Sequence, residues 1–160
     1  MYFKNQKFFV AGMSVSGESS ARFLLSRGAE VYVFDDLITD KISAVITELV
    51  GLGAHAVTAE NCDDAVKLCD ILVLSPGIPI DNYLPVAFRK LGKSIIGEEE
   101  LAAMFLRATS VAVTGTNGKT TTVTMLNEVL NAVGCKSVAC GNNGNPLIKE
   151  VENLTFEDYA

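Results

Sequence analysis

Short apolar runs separated by helix-length stretches recur along this chain, and that alternation restricts its fold more than any other feature. Lys7–Ala11, Val31–Phe34, Ile71–Leu74 and Ser94–Ile96 read as strands, and His55–Val57 as a weaker one. Between them the pattern predicts a helix over 17–27, closed by Gly28, and a second over 40–50 with Ile42, Val45, Ile46 and Leu49 on one face. A third, over 85–91, separates the turn Ser75-Pro76-Gly77-Ile78-Pro79 from the strand at Ser94. Strands joined through helices lie parallel, in a sheet whose faces the helices cover. Residues 1–96 therefore read as one α/β domain, a Rossmann-like parallel sheet.

A second unit starts at residue 97. Glu98-Glu99-Glu100 opens a helix running to about Leu106, and its carboxylates suit the positive end of a helix, so they read as a solvated start. Ser110–Val113 is a strand candidate, followed by Thr114-Gly115-Thr116-Asn117-Gly118-Lys119-Thr120-Thr121-Thr122. A helix then runs to Val133, with Val123, Leu126, Val129, Leu130 and Val133 apolar, and Gly134 ends it. Ser137–Cys140 is a further strand, 141–146 a loop, and 158–160 the start of another strand.

A strand, a glycine turn and a Lys-Thr pair opening a helix form the layout of a phosphate-binding loop. Gly115 and Gly118 permit positive φ, so successive N–H groups can converge on phosphate oxygens at a helix N-terminus. Lys119 can reach the β- and γ-phosphates of ATP, and the Thr120 hydroxyl can ligate the Mg²⁺ that bridges them. The usual spacing puts a glycine where Val113 stands; here the first glycine is Gly115. Residues 97–160 thus read as the beginning of a P-loop α/β ATPase domain. Two strands cannot bury both faces of such a sheet, so the chain is expected to be part of something longer.

Composition narrows the partners. The 160 residues are 49% hydrophobic, enough for a packed core, and carry a net charge of -6 with no basic stripe, which disfavours a nucleic-acid partner. No apolar run approaches the roughly 18 residues of a membrane span, and Met1–Lys7 lacks a secretory apolar region, so a cytoplasmic protein without membrane insertion is expected. Four cysteines without C-x-x-C spacing and a single histidine argue for reduced thiols rather than a metal site. His55 reads as structural.

The first glycine loop, Gly12-Met13-Ser14-Val15-Ser16-Gly17, leaves two readings open. Gly12 and Gly17 match the outer glycines of a dinucleotide fingerprint, and Asp35 ends the second strand where a ribose-binding carboxylate would stand. Ser14 replaces the middle glycine and crowds the pyrophosphate approach, which disfavours a nicotinamide-dependent oxidoreductase. A diphosphate sugar nucleotide is the other reading, because helix N-terminal amides hold any diphosphate.

Taken together, Gly12–Gly17, Ser75–Pro79, Thr114–Thr122 and Gly141-Asn142-Asn143-Gly144-Asn145-Pro146 closely resemble the Mur ligases, the ATP-dependent amide-forming enzymes of peptidoglycan precursor synthesis. The resemblance covers the whole chain in order, and the short phosphate loop is that family's own form. It implies three domains, with the first at 1–96 and the beginning of the central ATP-binding domain at 97–160. The Ser-Pro-Gly-Ile turn, Gly97–Leu101 and the loop at Asn142 look most like the member that adds D-glutamate to UDP-N-acetylmuramoyl-L-alanine. The L-alanine-adding member typically has histidine where Asn117 stands.

The resemblance also implies roles. Ser14, Val15 and Ser16 would meet the UDP diphosphate, with Asp35 and Asp36 near the uracil and ribose and Gly77 lining the same pocket. Gly115, Thr116, Asn117, Gly118, Lys119, Thr120 and Thr121 would bind ATP, with Thr120 on Mg²⁺. Lys119 and Asn142 would be catalytic, Asn142 touching the UDP-sugar near the reaction centre. Leu37 departs, since the family often has a basic residue there. The other metal ligands and the D-glutamate-binding domain would lie beyond Ala160. The chain is therefore expected to be a monomer that does not turn over alone.

Overall fold

A computed structural model describes residues 3, 5–141 and 144–160. Its elements are β1 (Lys7–Ala11), α1 (Val15–Ser26), β2 (Glu30–Phe34), α2 (Asp40–Gly51), β3 (His55–Ala56), α3 (Cys62–Leu68), β4 (Ile71–Leu74), α4 (Tyr83–Lys90), β5 (Ser94–Gly97), α5 (Glu98–Ala103), α6 (Lys119–Ala132) and α7 (Leu147–Glu150). The five strands form one parallel sheet in the order β3-β2-β1-β4-β5. This is the Rossmann-like α/β architecture expected for the first part of the chain.

Side-chain alternation along β1 divides the core in two. Phe8 and Val10 face one layer, packed with Val31, Val33, Ala21, Leu24, Leu49 and Leu101 from β2, α1, α2 and α5. Phe9 and Ala11 face the other, with Leu72, Leu74, Val66, Leu84 and Phe88 from β4, α3 and α4. Phe8, Phe9, Phe88 and Leu72 are fully buried, each contributing about 1.5–3 kcal/mol of burial free energy. Lys93 stitches the second layer: its ammonium donates to the carbonyls of Val66, Lys67 and Cys69, at the negative end of α3.

The helix α3 was not expected from the sequence, although Cys62, Ala65 and Val66 recur at helical spacing behind Asn61 and are all buried. The expected strand His55–Val57 shrinks to His55–Ala56. His55 stacks on Tyr32 at 4.7 Å and lies 3.8 Å from a Glu30 carboxylate oxygen, a structural role. The acidic run at 98–100 is not wholly solvated. The Glu100 carboxylate accepts from the Gly97 N–H at 2.7 Å, as a helix start requires. Glu98, however, is only 1% exposed.

Glu98 ties the end of β5 to α7. Its Oε1 accepts from the Ile148 N–H at 2.7 Å, while its buried Oε2 has no hydrogen-bond partner among the described residues. Desolvation raises its pKa above the ordinary 4.5, outweighing the Ile148 hydrogen bond, which acts the other way. The folded state therefore holds this proton more tightly than the unfolded one. The resulting stability is full below the unfolded value and is lost as pH rises through the folded value. Glu98→Gln keeps an oxygen for Ile148 and removes the charge. Urea denaturation across a pH series upward from about 4.5 should give the variant a less negative slope of stability against pH. Identical slopes in both proteins would show that Glu98 does not titrate as described.

Past α5 the structure departs from expectation. Neither 110–113 nor 137–140 forms a strand. Three segments are instead linked by isolated parallel bridges, with Tyr159 pairing Thr109 on one side and Ser137 on the other. Val111 donates to the Ala160 carbonyl at 2.8 Å, and Val138 to that of Tyr159 at 3.0 Å. The helix α6 forms as expected and stops before Gly134, at φ 87°, yet none of its residues is buried. A parallel sheet needs both faces covered to extend, and here the helix lacks a completed sheet to lie on.

Candidate functional site

The strand order reverses between β1 and β4, and in open α/β sheets the crevice at the carboxyl ends of such strands is where ligands bind. The Gly12–Gly17 loop leaves β1 at that point. The Gly12 N–H donates to the Phe34 carbonyl at 2.8 Å, and the buried Ser75 hydroxyl at the end of β4 donates to the Gly12 carbonyl at 2.8 Å. Both neighbouring strands therefore hold the loop. Gly12 sits at φ 84°, and a Cβ on Gly17 would lie 1.7 Å from the Gly12 carbonyl oxygen. Glycine is required at both positions, so that the first turn of α1 can press against the loop.

The sequence-derived residues fall as follows. Ser14 is the N-cap of α1, but its side chain caps nothing. The helix's first N–H groups thus remain open to a ligand. Val15 and Ser14 are exposed and Ser16 half-buried, all at this helix start. Asp35 lies opposite. Its Oδ2 accepts from the Met13 N–H at 2.6 Å and its Oδ1 from the Leu37 N–H at 2.9 Å. Asp36 and Leu37 are exposed beside it, and Gly77 is exposed in the turn after β4, where an added Cβ would meet nothing within 4 Å. These residues follow the carboxyl ends of β1, β2 and β4, three neighbouring strands of the sheet. Sequence reasoning missed the parts played by Met13 and Ser75; the serine that opens the Ser-Pro-Gly turn was the available signal.

The residues expected to bind phosphate form a second locus. Gly115 adopts φ 150° and Gly118 φ 77°, the latter as the left-handed N-cap of α6. Lys119 and Thr120 open the helix, no side chain caps it, and the Lys119 ammonium donates back to the Gly115 carbonyl. That leaves amides and an ammonium gathered around one turn, which fits a phosphate. For Mg²⁺ this loop offers threonine hydroxyls, that of Thr120 at the helix start among them, and no carboxylate, and among the described residues no group of three His, Cys, Asp or Glu could hold a metal. The donor set therefore fits an ion carried on nucleotide phosphates and water rather than one caged by protein. Asn142 lies outside the described residues.

A family model described as Mur ligase MurD-like, N-terminal domain, matches residues 6–97, which span the whole five-stranded sheet and its first glycine loop. The chain belongs to the Mur ligase family. It is 38% identical over 152 residues to the UDP-N-acetylmuramoylalanine--D-glutamate ligase of Geobacter metallireducens, covering 95% of this chain and 34% of that protein. The ligase of the same name from Caldicellulosiruptor saccharolyticus is 41% identical over 152 residues, with 94% and 34% covered. The chain thus spans about a third of the length of these curated relatives.

Solved Mur-type structures agree on the fold. A pseudomurein peptide ligase type C from Methanothermus fervidus matches with a TM-score of 0.53 at 25% identity, covering 83% of this chain and 27% of that one. The UDP-N-acetylmuramate:L-alanyl-gamma-D-glutamyl-meso-diaminopimelate ligase from Neisseria meningitides matches at 0.53 and 22%, covering 96% and 46%. Mur ligases are ATP-dependent amide ligases, so a nicotinamide-dependent oxidoreductase is not favoured for the first loop. No helix among the described residues is long and apolar enough to cross a membrane.

Proposed function

We propose that this chain is the UDP-sugar-binding domain and the beginning of the ATPase domain of a cytoplasmic, monomeric ligase. That enzyme adds D-glutamate to UDP-N-acetylmuramoyl-L-alanine. The observation that carries the reading is the pair of glycine loops on one Mur-type chain, each opening an uncapped helix, α1 at Val15 and α6 at Lys119. Residues 1–96 hold the sugar nucleotide and 97–160 begin the ATP site.

In this reading the amides of Ser14, Val15 and Ser16 take the diphosphate, and Asp35, Asp36 and Gly77 bound the nucleoside side. The ATP loop is Gly115–Thr121, with Lys119 on the transferring phosphoryl group and Thr120 on the Mg²⁺. ATP activates the L-alanyl carboxylate as an acyl phosphate with release of ADP, and the D-glutamate amine then displaces phosphate to form the amide. The chain's own contribution is positioning and charge neutralisation around the γ-phosphate. Asn142 belongs to this proposal near the reaction centre.

The amine acceptor tests it. A full-length ligase carrying this segment should form amide from UDP-N-acetylmuramoyl-L-alanine, ATP and D-glutamate, detected by mass. Product from UDP-N-acetylmuramate and L-alanine instead would transfer the chain to the L-alanine-adding member. This chain alone should release no phosphate from ATP in a substrate-dependent way.

A further inference from the structure

Asp35 occupies the place where a nucleoside-binding carboxylate is expected, but its hydrogen bonds run into the protein. Its Oδ2 accepts from the Met13 N–H at 2.6 Å, across 22 residues, and its Oδ1 from the Leu37 N–H at 2.9 Å. The second contact is an Asx turn that folds the chain just after β2. The first pins the residue that follows Gly12 and precedes the N-cap of α1. Met13 itself is only 2% exposed, so its side chain is anchored in the core while its amide is held by the carboxylate.

Three independent ties therefore converge on one loop: Phe34 on the Gly12 amide, Ser75 on the Gly12 carbonyl and Asp35 on the Met13 amide. Asp35 is the only one of the three that bears charge, and a hydrogen bond to a charged group is worth about twice a neutral one. A negative charge beneath a diphosphate site opposes the ligand. Its place there is explained by the geometry it imposes rather than by attraction.

We infer that Asp35 is a positioning residue, which fixes the diphosphate loop through the Met13 and Leu37 amides before ligand arrives and does not itself read the ribose or base. The inference rests on the sugar-nucleotide reading of this loop. Asp35→Asn leaves one oxygen acceptor and turns the other contact into a donor facing a donor, so one tie is lost. In the full-length ligase the variant should raise KM for the UDP-sugar about tenfold with kcat unchanged, because loop-held binding is lost equally from ground and transition states. UDP and 2′-deoxy-UDP should weaken by the same factor, leaving their affinity ratio as in the wild type. A ratio that collapses towards one in the variant would overturn the inference, since it would mean that Asp35 touches the ribose.

Amide hydrogen exchange on this chain decides the same point without substitution. Met13 and Leu37 amides should be protected in the free protein and gain little on adding UDP. Amides that are open in the free protein and closed only with UDP would also overturn it. A wild-type chain that binds neither nucleotide counts against the sugar-nucleotide reading, while the exchange result still decides Asp35.

Discussion

Gly17→Ala should be the most damaging single substitution in the first loop. The new Cβ would lie 1.7 Å from the Gly12 carbonyl oxygen, 2.9 Å from its carbon and 2.8 Å from the Ser75 hydroxyl. Two of these three atoms are backbone, so no rotamer change relieves the clash. Either α1 lifts from the sheet or the Gly12 peptide moves and its bond from Ser75 breaks. Overpacking and one lost hydrogen bond together cost roughly 2–4 kcal/mol, a large part of a domain's stability. If the fold survives, a displaced loop that loses one amide hydrogen bond to the diphosphate should weaken UDP-sugar binding about 10- to 100-fold. Urea melts and titration of the variant would measure both. Gly77→Ala is the control: nothing lies within 4 Å of its added Cβ, and it should melt like the wild type. A Gly17→Ala chain with unchanged stability and affinity would contradict the described packing.

Lys119→Ala should do the opposite, leaving the fold and destroying turnover. Lys119 is exposed, and among the described residues its ammonium bonds only to the Gly115 carbonyl of its own loop. Removing it should change stability by no more than about 0.5 kcal/mol. In the full-length ligase the charge that would neutralise the transferring phosphoryl group is lost, and kcat should fall about 100- to 1000-fold. UDP-sugar affinity should stay within about twofold, because that site is built on a different loop. Amide formation and nucleotide titration on the same preparation separate the two effects. Turnover near the wild-type rate would remove Lys119 from the proposed chemistry, and parallel loss of UDP-sugar binding would mean that the two loops are not independent.

The sheet was legible because each buried strand announces itself with consecutive β-branched or aromatic residues. Phe8-Phe9-Val10 and Ile71-Leu72-Val73-Leu74 can be little else between turns. The parallel direction of the strands followed from the helices read between them. What stayed hidden depends on tertiary context. The helix α3 is seven residues long, too short for a clear period, and is held by Lys93 from a distant turn. Glu98 reads locally as a surface charge and is buried only because α7, fifty residues on, folds over it. The run at 110–113 has strand composition, but pairing requires partners, and 158–160 supplies isolated bridges alone.

The candidate site shows the same division. Glycine spacing located both loops, since positive φ and close backbone approach have few other solutions. The two hydrogen bonds that absorb the Asp35 carboxylate could not be foreseen, because one donor is the amide of Met13, a bond that any residue type except proline could make.

The most direct test of the central claim is a calorimetric titration of this chain with UDP-N-acetylmuramoyl-L-alanine, run beside one with NAD⁺. The account predicts saturable binding of the UDP-sugar and none of NAD⁺. Binding of NAD⁺ without the UDP-sugar would contradict it.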